Sequence, residues 1–267
     1  MHDLLLTPHV IAGVIALSSM IVPLVAPKGG RVHRRVGWVF VIAMTGVSAT
    51  AFALAILRFT RADAHHPNAH AIGLFLFYVA TLTAAGVSSG VRALRFKARS
   101  APHRKAWDLG ISAMNVAMAL ATLVYGVLEQ RTLFIAFSLV GLITGTGQLR
   151  YWLRTPTAPL HWWFAHMGGM LGSCIAALTA LVVVNAARFG TRTFATTIWI
   201  AVPALGIPVI FAWTAYYRRR FAQRGPGWSP GASVPLFRIG VLERPGGADR
   251  RDVVVRANGE KNGPGDC

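Results

Sequence analysis

The chain has 267 residues, of which 54% are hydrophobic and 13% charged, and its mean hydropathy is +0.50. So little polar surface cannot cover a water-soluble domain of this size. The formal charge of +18 would suit a nucleic-acid binder, but most basic residues stand in short loops beside apolar runs and no nucleic-acid motif occurs, a pattern that indicates membrane topology and attraction to anionic lipids.

A helix that crosses a bilayer needs about 20 mainly apolar residues. The sequence predicts seven such spans, near 7–26, 36–57, 70–91, 108–128, 132–149, 162–186 and 195–216. The first lacks the basic n-region of a signal peptide and is too long for an h-region, so it reads as a retained helix. Thr7-Pro8 and Pro67-Asn68 mark helix starts, with Thr7 and Asn68 as N-caps. Asp108 opens the fourth span, where a carboxylate suits the positive end of the helix dipole. Pro203 and Pro208 kink or loosen the seventh. Residues 217–267, rich in Gly, Pro and Arg, read as a largely flexible tail after a transmembrane domain over 1–216.

The loops set the expected orientation. Lys28, Arg31, Arg34 and Arg35 lie in the first, Arg95, Lys97, Arg99, Arg104 and Lys105 in the third, Arg150 and Arg154 in the fifth, and Arg218, Arg219 and Arg220 open the tail. The other loops are poorer in cations. The positive-inside rule therefore puts the odd loops and the tail in the cytoplasm and the N-terminus outside. Trp38, Trp107, Trp152, Trp162 and Trp163 fall near the same face, as an aromatic belt would.

The histidines divide by side. His33, His103, His161 and His166 lie toward the basic face; His2, His9, His65, His66 and His70 lie toward the other. His9 and His70 each fall in the expected first turn of a helix, where the dipole favours a neutral, ligating imidazole. One cluster per face is the requirement of two b-type haems or two metal sites. His166 begins a stripe of small residues, Gly169, Ser173 and Ala177, which suits either a flat macrocycle or a close helix. Gly86-x-x-x-Gly90, Gly141-x-x-x-Gly145 and Gly168-x-x-x-Gly172 favour close packing. Asp108, Ser112, Asn115, Ala119 and Thr122 share one face of the fourth span, and Ser138, Gly141, Gly145 and Gln148 one face of the fifth. Both faces should point into the bundle, as interhelical hydrogen bonds or as the wall of a quinone pocket. No charged residue falls mid-span, which disfavours a carboxylate-driven pump.

His33-Arg34-Arg35-Val36-Gly37-Trp38 before the second span and His103-Arg104-Lys105-Ala106-Trp107 before the fourth form related pairs, as do the segments around His9 and His70. Duplication of a helical hairpin and convergence of basic helix starts both account for them. Together with His166-Met167-Gly168-Gly169-Met170-Leu171-Gly172, these motifs resemble an uncharacterised bacterial family of integral membrane proteins, a domain of unknown function, across spans one to six. The resemblance implies an integral membrane protein and no particular activity. A looser similarity to histidine-ligated transmembrane b-type cytochromes implies paired histidines on neighbouring helices, whereas several histidines here stand at helix ends.

The expectation is an all-α, seven-helix bundle in the bacterial cytoplasmic membrane. Its leading function is electron transfer on haem b, or linked to quinone, with His9 and His70 as outer ligands, His103 and His166 as inner ligands and His33 in reserve. One alternative is a zinc-dependent membrane hydrolase on His33, His103, His166 and Asp108. Another is a non-enzymatic transporter or assembly protein.

Overall fold

The computed structural model describes residues 2–60, 68–158, 160–186 and 195–222. Seven α-helices follow one another: α1 (His2–Val25), α2 (Arg31–Thr60), α3 (Ala69–Ala93), α4 (Ala106–Leu128), α5 (Thr132–Leu153), α6 (His161–Ala186) and α7 (Ala195–Ala222). All seven are long and apolar enough to cross a bilayer, and the protein is a multi-pass, all-α membrane bundle. His65, His66, Arg61, Arg188, Arg192 and the tail beyond residue 222 lie outside the described residues.

Several helices outrun the hydropathy signal. α2 begins at Arg31, so His33 is helical, and α5 and α7 continue to Leu153 and Ala222. Hydropathy reports the hydrocarbon-embedded length, while Arg, Trp and Tyr continue a helix into the headgroup region. The start of α1 also differs from expectation. The helix runs from His2 through Pro8, and Thr7 Oγ1 donates to the Asp3 carbonyl at 3.0 Å. Thr7 is therefore an interior residue, and His9 lies beyond the first turn. Asn68 does occupy the N-cap position of α3 but makes no side-chain cap. Its Oδ1 instead accepts from Arg131 Nη2 at 2.9 Å, tying α3 to the start of α5.

The first five helices pack each on the next, α6 packs on α3 and α7 rather than on α5, and α3 is the common wall of two cores. One core joins α1, α2, α3 and α6 through Met20, Phe40, Met44, Val87 and Cys174. The other joins α3, α4 and α5 through Phe75, Tyr78, Ala119, Phe134 and Phe137, with Trp199 of α7 against it. Tyr78 Oη donates to the Phe137 carbonyl at 2.6 Å across this second core. Lipid gives helices no hydrophobic reason to associate, so close packing and hydrogen bonds hold them. At the α3–α6 crossing a Cβ on Gly169 would stand 2.9 Å from Gly90 Cα. At the α4–α5 crossing one on Gly145 would stand 2.8 Å from Val116 Cγ2.

The polar stripe of α4 faces inward: Asp108, Ser112, Asn115, Ala119 and Thr122 are all buried. Asn115 Nδ2 reaches Thr144 Oγ1 of α5 at 3.5 Å. The expected aromatic belt divides. Trp38 and Trp107 are exposed, as belt residues are, but Trp152 and Trp163 are buried. Trp163 instead packs on Tyr217 and Phe221, clasping α7 to α6 at the basic end.

Candidate functional site

The basic face carries two side-chain clusters, each built on helix ends. The first lies where α1 ends, α2 and α6 begin and α3 ends. Pro27 has no N–H for the Pro23 carbonyl one turn earlier, which leaves that acceptor open. Lys28 Nζ donates to the carbonyls of Pro23 and Leu24 at 2.5 and 2.8 Å. His33 Nδ1 also donates to the Pro23 carbonyl, at 3.2 Å. At the end of α3 the Leu94 N–H turns to the Val91 carbonyl, freeing that of Gly90. His166 Nδ1 donates to the Gly90 carbonyl at 3.0 Å.

Both rings thus spend Nδ1–H on a helix-end carbonyl and keep the Nε2 lone pair. They lie edge to face, with ring centroids 6.4 Å apart. Lys28 and Lys97 are the cations whose charge reaches His166. Burial of the Lys28 ammonium lowers its pKa to about 8, because desolvation disfavours the charged form.

The second cluster is an ionic clasp. Arg92, near the end of α3, makes a bidentate pair with Asp108 in the first turn of α4. His103 Nε2 donates to Asp108 Oδ2 at 2.7 Å, and the imidazole is enclosed by Phe96 and Trp152. The His103 backbone N–H bonds the Trp152 carbonyl at 2.8 Å. Arg99 Nη1 and Nη2 donate to the carbonyls of Trp152 and Tyr151 at 3.0 and 2.6 Å. Cations at a helix C-terminus satisfy orphan carbonyls and complement the dipole. Arg92, Asp108, His103 and Arg99 therefore join α3, α4 and α5.

These positions re-pair the candidate residues. His166 stands beside His33 rather than His103, and His103 with Asp108 forms a separate contact. The zinc set is thus divided into two pairs, and among the described residues no three or more His, Cys, Asp or Glu side chains converge on a metal position. Toward the other face, His9 Nδ1 donates to Thr50 Oγ1 at 2.9 Å, while the His70 ring lies 5.8 Å from that of Phe59. Thr50 and Phe59 are separated by about 13 Å of α2, so His9 and His70 sit at different depths.

Sequence reasoning missed three features. Lys28 and Lys97 were read as topology charges; the signal for Lys28 was its place one residue after a Pro that ends a helix. Arg92 was passed over, although its position in the last turn of α3 sets it level with Asp108 in the first turn of α4. Gly168 and Gly172 were read as packing positions, but a Cβ on either would meet no atom within 4 Å. It is Gly169, a member of the small-residue stripe that lies between them on α6, that meets the α3 backbone. Comparison with protein-family models, with curated proteins and with solved structures finds no match for this chain.

Proposed function

We propose that the protein is a membrane electron-transfer protein that holds haem b between His33 and His166. The observation that carries this reading is the pair itself: two imidazoles from different helices, 6.4 Å apart between centroids, each with Nδ1–H on a backbone carbonyl. Two neutral imidazoles brought together from different helices are the donor set that a haem iron would need from the chain. A backbone carbonyl on Nδ1 fixes the tautomer that presents Nε2, the usual outer support of a ligating histidine. Haem b supplies a one-electron couple when bound. The chain's part would be to hold the group through His33 and His166, in the neighbourhood of the cations Lys28 and Lys97.

The test is a reduced-minus-oxidised visible spectrum of detergent-purified protein expressed with haem precursor. Sharp reduced bands that disappear in both His33→Ala and His166→Ala are expected. A flat spectrum from folded protein, or bands that survive both substitutions, would overturn the assignment.

A further inference from the structure

Between α3, α5, α6 and α7 lies a cavity of about 1120 Å³. Small-molecule sites usually enclose roughly 300–1,000 Å³. The wall on α6 includes Gly168 and Gly172, and the lining reaches from His161 at the basic end to Thr179. That stretch of α6 rises about 27 Å, whereas one leaflet of hydrocarbon is about 15 Å deep. A phospholipid chain ends near the midplane, so this cavity suits an apolar chain longer than one leaflet.

The basic end of the same cavity carries Gln148 and Trp152. The Gln148 side-chain carbonyl and the Trp152 indole N–H are both buried and have no hydrogen-bond partner within the described residues. One requires a donor and the other an acceptor, and a buried polar group left unmet is costly. A phosphate headgroup offers acceptors alone. A quinone ring offers a carbonyl to the indole, and its reduced form offers a hydroxyl to the amide. The ring is flat and the isoprenoid tail long and apolar.

We propose that this cavity binds an isoprenoid quinone, with the ring beside Gln148 and Trp152 and the tail along Gly168 and Gly172. Its role as the redox partner of a haem rests on the electron-transfer reading; its occupancy does not.

The test uses the full-length protein in detergent, without added haem, titrated with decylubiquinone while tryptophan fluorescence is read. Saturable quenching is expected in the wild type. Gly172→Leu, which fills open space rather than an interhelical contact, should raise the Kd at least tenfold, and Gln148→Leu should raise at least fivefold the Kd of the reduced quinol, read by its competition with decylubiquinone. Gly168→Leu on the same wall is the second cavity-filling variant. Gly110→Leu, on an exposed face with no atom near the added side chain, should leave the Kd unchanged. Non-saturable quenching, or a Kd that none of the cavity variants changes, overturns the proposal. So does displacement by a polyprenyl phosphate whose own affinity depends on Arg218 and not on Gln148, which would assign the cavity to a phosphate lipid. A flat haem spectrum with saturable quinone binding removes the haem reading alone. A haem band without saturable quinone binding removes the quinone site alone.

Discussion

Arg92 and Asp108 meet across the α3–α4 connection as a bidentate pair, with His103 on the second carboxylate oxygen. Asp108 is 3% exposed, so the carboxylate is stabilised by its partners rather than by water. Removing one member of a buried pair leaves the other uncompensated, at about 3–5 kcal/mol. Asp108→Asn should therefore lower thermal stability by an amount of that order in a detergent melt. Because Asn offers one acceptor oxygen to the two donors Arg92 and His103, adding His103→Phe to Asp108→Asn should cost less than the two single effects summed. Additive losses would show that the imidazole and the carboxylate act independently.

Gly169 and Gly172 are neighbours on α6 with opposite surroundings. Gly169→Ala forces a methyl against the backbone of α3 and should cost about 1–3 kcal/mol. Gly172→Ala, which meets open space, should change stability by less than about 0.5 kcal/mol. The comparison is made by thermal unfolding of the two variants side by side, and equal losses would refute the packing assignment.

Tyr78 bridges α3 and α5 through its bond to the Phe137 carbonyl. Tyr78→Phe keeps the ring and removes this interhelical bond, while the Phe137 carbonyl keeps its place in the α5 ladder. The expected loss is about 0.5–1.5 kcal/mol, and an unchanged melt would mean that the bond adds nothing to helix association.

Lys28 carries the pH dependence. Its pKa is about 8 in the folded protein against 10.5 ordinarily. Between those values the unfolded chain binds more protons at this site than the folded one, so stability rises with pH across that window. The buried ammonium is a burden below pH about 8 that is relieved as it deprotonates. The difference in stability between wild type and Lys28→Met, followed from pH 7 to 10, should change in favour of the wild type as pH rises. A pH-independent difference would mean that the lysine is freely solvated.

The existence and order of the seven helices were legible because each hydrocarbon span must be apolar over a fixed length. The inward direction of Asp108, Ser112 and Asn115 was legible for a related reason: polar groups find no partner in lipid. Which histidine would face which was not. His33 and His103 sit in nearly the same local motif, and the difference lies in the connections before them. The turn after α1 is short and follows a last helical turn with an orphan carbonyl at Pro23, which draws His33 back onto the bundle. The longer connection after α3 is bound through Arg99 to α5, which carries His103 to Trp152 and away from His166. That choice is made by helix-end carbonyls, groups that every residue possesses and no composition reveals. The glycines of α6 present a similar difficulty, since Gly168, Gly169 and Gly172 all border the cavity and only Gly169 also touches α3.

The central position of α3 has a consequence for biogenesis. Half of its span is buried in the finished protein, whereas none of the α7 span is. Yet two of its three main neighbours, α4 and α6, are synthesised after it. During translation α3 must wait in lipid with its glycine face and Arg92 unmatched, and the interior of the protein closes only when α6 arrives. A ribosome stalled before α6 should therefore leave a membrane-inserted but protease-sensitive intermediate.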